Sequence, residues 1–180
     1  MTPPGDLVAS VGGPDEMKAL GAVLARLLRP GDTVLLGGDL GAGKTTFVQG
    51  LAAALGVSEP VTSPTFVLVH SYKTRAGWPL LHADVWRLEQ LQEVIDLALP
   101  ELVEDGGAAV VEWGEMAAPA LAPDCLHVAI DFEDDEAPRA GAQAPGHPGG
   151  GALGARRLAF RALGPSWEQR MAGLRAALAA

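Results

Sequence analysis

Thr33-Val34-Leu35-Leu36-Gly37-Gly38-Asp39-Leu40-Gly41-Ala42-Gly43-Lys44-Thr45-Thr46-Phe47 is the stretch that decides the fold. Its first four residues form a β-branched and apolar run, the composition of a buried strand, which feeds directly into glycines. From Thr45 onward, Phe47, Val48, Leu51, Ala52 and Leu55 share one face of a helix that ends at Gly56. Strand, glycine loop and helix thus follow one another. Within them Gly38 to Thr45 satisfies Gly-x-x-x-x-Gly-Lys-Ser/Thr in the context that gives this pattern its meaning.

The chemistry follows from the residue types. Glycines let the backbone curl around phosphate oxygens so that successive N–H groups and a helix N-terminus face the anion. Lys44 reaches the outer phosphates, and the Thr45 hydroxyl is suited to a magnesium ion bridging them. A glycine turn with an accidental lysine is the bland alternative, but the chain has only Lys18, Lys44 and Lys73, and one of them falls at the required place. The candidate nucleotide-binding set is therefore Gly38, Asp39, Leu40, Gly41, Ala42, Gly43, Lys44, Thr45 and Thr46. A magnesium site of this type needs an acid at the end of a buried strand beside the loop, and Ala108-Ala109-Val110-Val111-Glu112 supplies one. Thr45 and Glu112 are the expected metal ligands. The guanine-reading Asn-Lys-x-Asp pattern cannot occur in a chain without asparagine, and Asp-x-x-Gly is also missing, so ATP is the expected nucleotide.

Outward from this core, Met17, Leu20, Leu24, Leu27 and Leu28 recur at helical spacing across Pro14 to Leu28, with Asp15 and Glu16 where the helix dipole favours acids. Further strands are expected at Phe66 to Tyr72, Leu80 to Trp86, Ala108 to Trp113 and Leu126 to Phe132, with a helix from Glu89 to about Ala98. Strands alternating with helices point to an α/β sheet. Glu133 to Gly154 is acidic at first and then rich in Gly, Ala and Pro, a composition that buries too little surface to offset ordering. It reads as a flexible insertion in a single domain spanning residues 1–180. Arg156 to Ala162 reads as an edge strand, and Trp167, Met171, Leu174 and Leu178 mark a closing amphipathic helix.

Composition narrows the function classes. Thirteen Lys and Arg against 22 Asp and Glu leave a net charge of −9, which disfavours direct nucleic-acid binding by this chain alone. Cys125 is the single cysteine and most simply a buried apolar residue, so a disulfide or a cysteine-based zinc site is not expected. No apolar run reaches the roughly 18 residues of a membrane span. Met1 to Gly13 lacks the charge pattern of a secretory signal, and a cytoplasmic location is expected.

Four blocks resemble one family. Gly38 to Phe47 reads GDLGAGKTTF, Thr62 to Phe66 reads TSPTF, His82 to Arg87 reads HADVWR, and Val111 to Glu115 reads VEWGE. In order and spacing they are similar to TsaE (also called YjeE), the ATPase family of bacterial tRNA threonylcarbamoyladenosine modification, over about Pro14 to Phe132. Trp86 stands where that family usually has tyrosine. The resemblance implies an α/β three-layer sandwich of the P-loop NTPase type, with a mostly parallel central sheet and antiparallel edge strands. It implies that Thr62 to Thr65 form a switch-like segment near the γ-phosphate, with Thr65 among the nucleotide contacts. It also places at Asp84 an acid that orients or activates water. Lys44, Asp84 and Glu112 are then the candidate catalytic residues. His82 projects on the same strand face as Asp84 and stands evenly between structural support and catalysis. Trp113 packs either beside the nucleotide or in the core.

The implied function is slow, magnesium-dependent ATP hydrolysis as an accessory to TsaB and TsaD, with tRNA met only through that complex. Two other classes compete with it. A small-molecule kinase usually carries its phosphate loop after the first strand and needs a basic lid, whereas here a full helix precedes the loop, and between Thr46 and Asp124 only Lys73, Arg75 and Arg87 are basic. A nucleotide-dependent assembly switch with incidental hydrolysis is the closer rival.

Overall fold

Strand β2, Thr33–Gly37, is buried along its whole length at the interior of a seven-stranded sheet. The chain is described here by a computed structural model covering residues 6–64, 68–86, 88, 91–117, 123–133 and 154–179. The strands are β1 (Leu7–Val11), β2, β3 (Val69–Lys73), β4 (Pro79–Asp84), β5 (Ala108–Glu112), β6 (Cys125–Phe132) and β7 (Arg156–Leu163), in the spatial order β1-β7-β6-β2-β5-β4-β3. The pairs β6–β2, β2–β5 and β5–β4 are parallel. Antiparallel pairs extend this core at both sides, β6–β7–β1 at one and β4–β3 at the other.

Parallel strands covered on both faces read as continuous apolar runs, which is why Thr33 to Leu36 and Ala108 to Val111 show no polar alternation. Their side chains still alternate between two cores. Val34, Leu36, Ala108, Val110, Leu126 and Val128 pack with helices α1 (Pro14–Ala25), α2 (Lys44–Ala54) and α5 (Pro165–Leu178). Leu35, Ala109, Val111 and Leu81 pack on the other face with Leu99 and Val103 of α4 (Leu99–Glu104). Helices on both faces of one sheet make the three-layer α/β sandwich of the P-loop NTPase type.

Helices α1 and α2 press together at small residues. A Cβ at Gly21 would lie 2.2 Å from the Phe47 carbonyl oxygen, and one at Gly50 would lie 2.0 Å from that of Lys18. This contact seats the first turn of α2 at the C-terminal end of β2.

Three expectations need correction. Arg156 to Ala162 does not form an edge: β7 is flanked on its outer side by β1, with Leu7 opposite Phe160 and Val11 opposite Arg156. The missed strand β1 carries the edge instead. The helix expected from Glu89 to Ala98 stops early, α3 (Leu91–Ile95) ending at Ile95 and a separate α4 beginning at Leu99, while Glu89 and Gln90 lie outside the described residues. Ala98 breaks the run by adopting a left-handed conformation (φ 52°), and Pro100 then opens the next helix. Finally, β3 starts at Val69; Phe66 and Val67 lie outside the described residues. Of the expected insertion, only Glu133 and Gly154 at its two ends are described. The β6–β7 ladder, pairing Phe132 with Arg156, holds those ends side by side.

Candidate functional site

The register of the parallel strands brings the candidate residues to one edge of the sheet. Glu112 lies opposite both Leu36 of β2 and Asp84 of β4, so the glycine loop and two acids emerge together at the carboxyl ends of the strands. Open α/β sheets offer ligands this edge.

The loop from Gly38 to Gly43 leaves β2 and turns into α2. Gly38 and Gly43 have φ of 129° and 109°, values that a side chain would strain, and a Cβ at Gly38 would also lie 2.2 Å from the Ile130 carbonyl. The Lys44 side chain, 5% exposed, folds back over this loop and donates to the carbonyls of Gly38 at 2.6 Å and Asp39 at 2.9 Å. Burial lowers its pKa, while the charges of Glu112, Asp84, Asp39 and Glu115 act in the opposite direction.

Thr45 follows in the first turn of α2, and its hydroxyl donates to both Glu112 oxygens, at 2.8 and 3.1 Å. The same carboxylate pairs with Nε2 of His82, fully buried, at 2.7 Å. Among the described residues no partner meets His82 Nδ1. His82 thus supports Glu112 from behind and does not line the cavity. Asp84, 4% exposed, accepts the Trp86 backbone N–H at 3.0 Å on one oxygen and the Ser63 hydroxyl at 3.1 Å on the other.

These groups converge on a cavity of about 560 Å³ lined by Leu40, Gly41, Gly43, Lys44, Thr45 and Thr46 from the loop and helix, and by Ser63, Asp84, Trp86, Glu112 and Trp113 from the facing segments. Gly38 and Asp39 contribute carbonyls to Lys44, and Ala42 turns inward, fully buried. Thr65 lies outside the described residues. Trp86 was not among the candidate site residues, and Ser63 entered only as part of the Thr62 to Thr65 segment expected near the γ-phosphate. Ser63 lay within the quoted TSPTF block, but nothing local marked the serine as the residue that reaches Asp84. Trp113 lines the cavity, with its indole beneath the Lys44 ammonium.

The family model described as threonylcarbamoyl adenosine biosynthesis protein TsaE matches residues 11–140. The chain belongs to the TsaE family. Among this family's curated members, the tRNA threonylcarbamoyladenosine biosynthesis protein TsaE of Streptomyces coelicolor is 48% identical over 117 residues, covering 64% of this chain and 78% of its own. That of Bacillus subtilis is 40% identical over 123 residues, covering 68% and 76%. The crystal structure of Bacillus subtilis YdiB superposes on this TsaE-family chain with a TM-score of 0.70 at 29% identity, covering 97% of this chain and 96% of that one. No helix among the described residues is long and apolar enough to cross a membrane.

Proposed function

We propose that this chain binds ATP with magnesium on the loop Gly38 to Thr45 and hydrolyses it as the accessory ATPase of tRNA threonylcarbamoyladenosine biosynthesis. The observation that carries this reading is the convergence of Lys44, Thr45, Glu112 and Asp84 on one cavity at the N-terminus of α2.

The charge of the cavity supports a cation accompanying the nucleotide. Asp84 and Glu112 face it against Lys44, and a polyphosphate adds further negative charge. The donors are the hard oxygens of Thr45 and Glu112, which suit magnesium. Among the described residues no group of three or more His, Cys, Asp or Glu side chains could hold a metal alone. With Thr45 and Glu112 as its protein ligands, phosphate oxygens and water would complete the ion's shell. Thr45 and Glu112 would hold it, His82 would fix the Glu112 rotamer, and the bound ion would offset charge on the outer phosphates.

This chain's own groups account for the remaining chemistry. The backbone N–H groups of the loop and of the first turn of α2 anchor the phosphates. Lys44 neutralises the outer two. Asp84 orients a water molecule toward the γ-phosphorus and accepts its proton as the new P–O bond forms and the β–γ bridging bond breaks. With both Asp84 oxygens engaged by Ser63 and the Trp86 amide, hydrolysis by the isolated chain is slow, and contact with TsaB and TsaD speeds it.

The test is ATP binding by calorimetry, followed by hydrolysis with and without TsaB and TsaD. Wild type binds ATP in the presence of magnesium. Lys44→Ala, which removes the only ammonium at the cavity among the described residues, does not. Tight magnesium-ATP binding by Lys44→Ala would sink the proposal.

A further inference from the structure

Trp113 has no role in the scheme above, yet it touches the side chain on which that scheme depends. The Lys44 ammonium lies 3.6 Å from the centre of the indole. Two of its three N–H groups are directed to the Gly38 and Asp39 carbonyls, and the ring covers a side that water would otherwise occupy. Trp86 packs on Trp113 with centroids 4.3 Å apart at 45°. Both indoles line the phosphate cavity, and both also line a second cavity of about 490 Å³ bounded by Gly37, Asp39, Glu115 and Asp131. They are the two residues common to both linings, so the pair stands between the cavities.

The backbone points the same way. Trp113 leaves β5 in a left-handed conformation, φ 62°, with its N–H donating to the Leu36 carbonyl at 2.8 Å. A bulky aromatic side chain at such an angle is strained where glycine would not be, and strain of this kind persists only where the surrounding structure holds it, most often at ligand sites. Glycine comes one position later, at Gly114, where a Cβ would lie 2.9 Å from Leu35 Cδ2.

We propose that Trp113 is a positioning residue for Lys44: its π face, backed by Trp86, fixes the ammonium against the loop carbonyls and leaves the third N–H for the outer phosphates. The inference rests on the ATP-binding reading for its functional consequence. The lysine stem has four rotatable bonds, and a cation over an indole in a desolvated site is held more firmly than one in water. Trp86, where the family usually has tyrosine, serves as the backing ring, so Trp86→Tyr retains the effect.

Two measurements on Trp113→Leu, Trp113→Phe, Lys44→Met and the Trp113→Leu/Lys44→Met double variant test it. In calorimetric titrations, Trp113→Leu weakens magnesium-ATP binding about tenfold, and Trp113→Phe, which keeps a π face, stays within about threefold of wild type. In melting curves of the nucleotide-free protein, Trp113→Leu lowers Tm by about 2–4 °C more when Lys44 is present than in the Lys44→Met background. If Trp113→Leu does not fold, Trp86→Leu, at a position 54% exposed, replaces it and weakens binding about threefold. Equal ATP affinities for wild type and the Leu variant overturn the proposal, as does equal weakening by Leu and Phe, or strict additivity with Lys44→Met. The melting cycle needs no nucleotide. A wild type that fails to bind ATP therefore overturns the proposed function, while absent coupling overturns the Lys44–Trp113 contact.

Discussion

Glu112→Gln removes one negative charge from the centre of the Thr45–Glu112–His82 chain and leaves the shape unchanged. The carboxylate accepts from Thr45 at 2.8 and 3.1 Å and pairs with His82 at 2.7 Å, with Glu112 3% and His82 0% exposed. A glutamine keeps both contacts: its oxygen faces His82, and its amide donates to the Thr45 hydroxyl, which accepts as readily as it donates. What changes is the strength of each bond. A hydrogen bond to a charged group contributes about 1.5–3 kcal/mol and a neutral one about 0.5–1.5, so two bonds lose roughly 2 kcal/mol together. For a chain of this size that corresponds to a fall in Tm of about 4–8 °C. Glu112→Leu differs in kind, because it strands the buried His82 donor at about 1–3 kcal/mol, a large fraction of a typical 5–15 kcal/mol total, while the half-buried Thr45 hydroxyl turns to the cavity. The Leu variant is expected to be poorly folded, and the Gln variant folded.

The second consequence concerns magnesium. Loss of a ligand's hydrogen-bond partner alone typically costs 10–100-fold in metal affinity, and loss of the anionic ligand costs at least about tenfold. The assay is ATP titration with and without magnesium: the ion strengthens ATP binding by wild type and gives at most a small gain with Glu112→Gln. A Gln variant with wild-type magnesium dependence refutes the ligand assignment. A Leu variant as stable as the Gln variant refutes the energetic argument for the buried network.

The remaining expectations concern Asp84, Ser63 and Cys125. Asp84→Ala binds ATP with near-normal affinity and hydrolyses it about 100-fold more slowly in single turnovers with TsaB and TsaD present, and normal rates there reject its role with the attacking water. Ser63→Ala removes a 3.1 Å hydrogen bond to Asp84 of about 1 kcal/mol, so hydrolysis by the isolated chain rises up to about fivefold; an unchanged or lower rate means that this contact does not restrain the acid. Burial, aided by the Asp124 charge, pushes the Cys125 thiol up to about 11 from an ordinary 9.0. The native protein therefore holds the proton that the unfolded chain releases, and this group's contribution to stability is fully present below pH 9 and falls as pH rises from 9 to 11. At pH 8 the native thiolate is about 100-fold scarcer than in the unfolded chain. Alkylation should be correspondingly slow until denaturant is added, and rapid labelling of folded protein would contradict the burial argument.

The phosphate loop, β2 and α2 were legible because everything that specifies them is local: a β-branched run, glycines at fixed spacing, and apolar residues on one helical face. The place of Glu112 was legible for a related reason: an apolar run ending in an acid marks the carboxyl end of a buried strand, and β2–β5 pairing sets that end beside the loop. The errors lay where pairing is long-range or where a local break carries no glycine or proline of its own. Leu7 to Val11 is a five-residue strand whose partner is some 150 positions away, and without it β7 looks like an edge. Ala98 broke the expected helix through a left-handed backbone that alanine does not advertise.

Trp113 shows the same limit inside the site. From sequence it was an aromatic residue following an acid, equally suited to the core. Its place beneath Lys44 depends on a positive φ at a non-glycine residue and on a lysine arriving from a different element, and neither leaves a local signature. His82 is the converse case. Its strand position put it on the same face as Asp84, but β4–β5 pairing and the Glu112 rotamer decide that it reaches Glu112 and not the cavity. The candidate residues that share the cavity were thus marked by residue type and spacing, whereas the neighbours that hold them emerge only when parallel strands set the register, because orientation is a property of neighbours and not of the sequence segment itself.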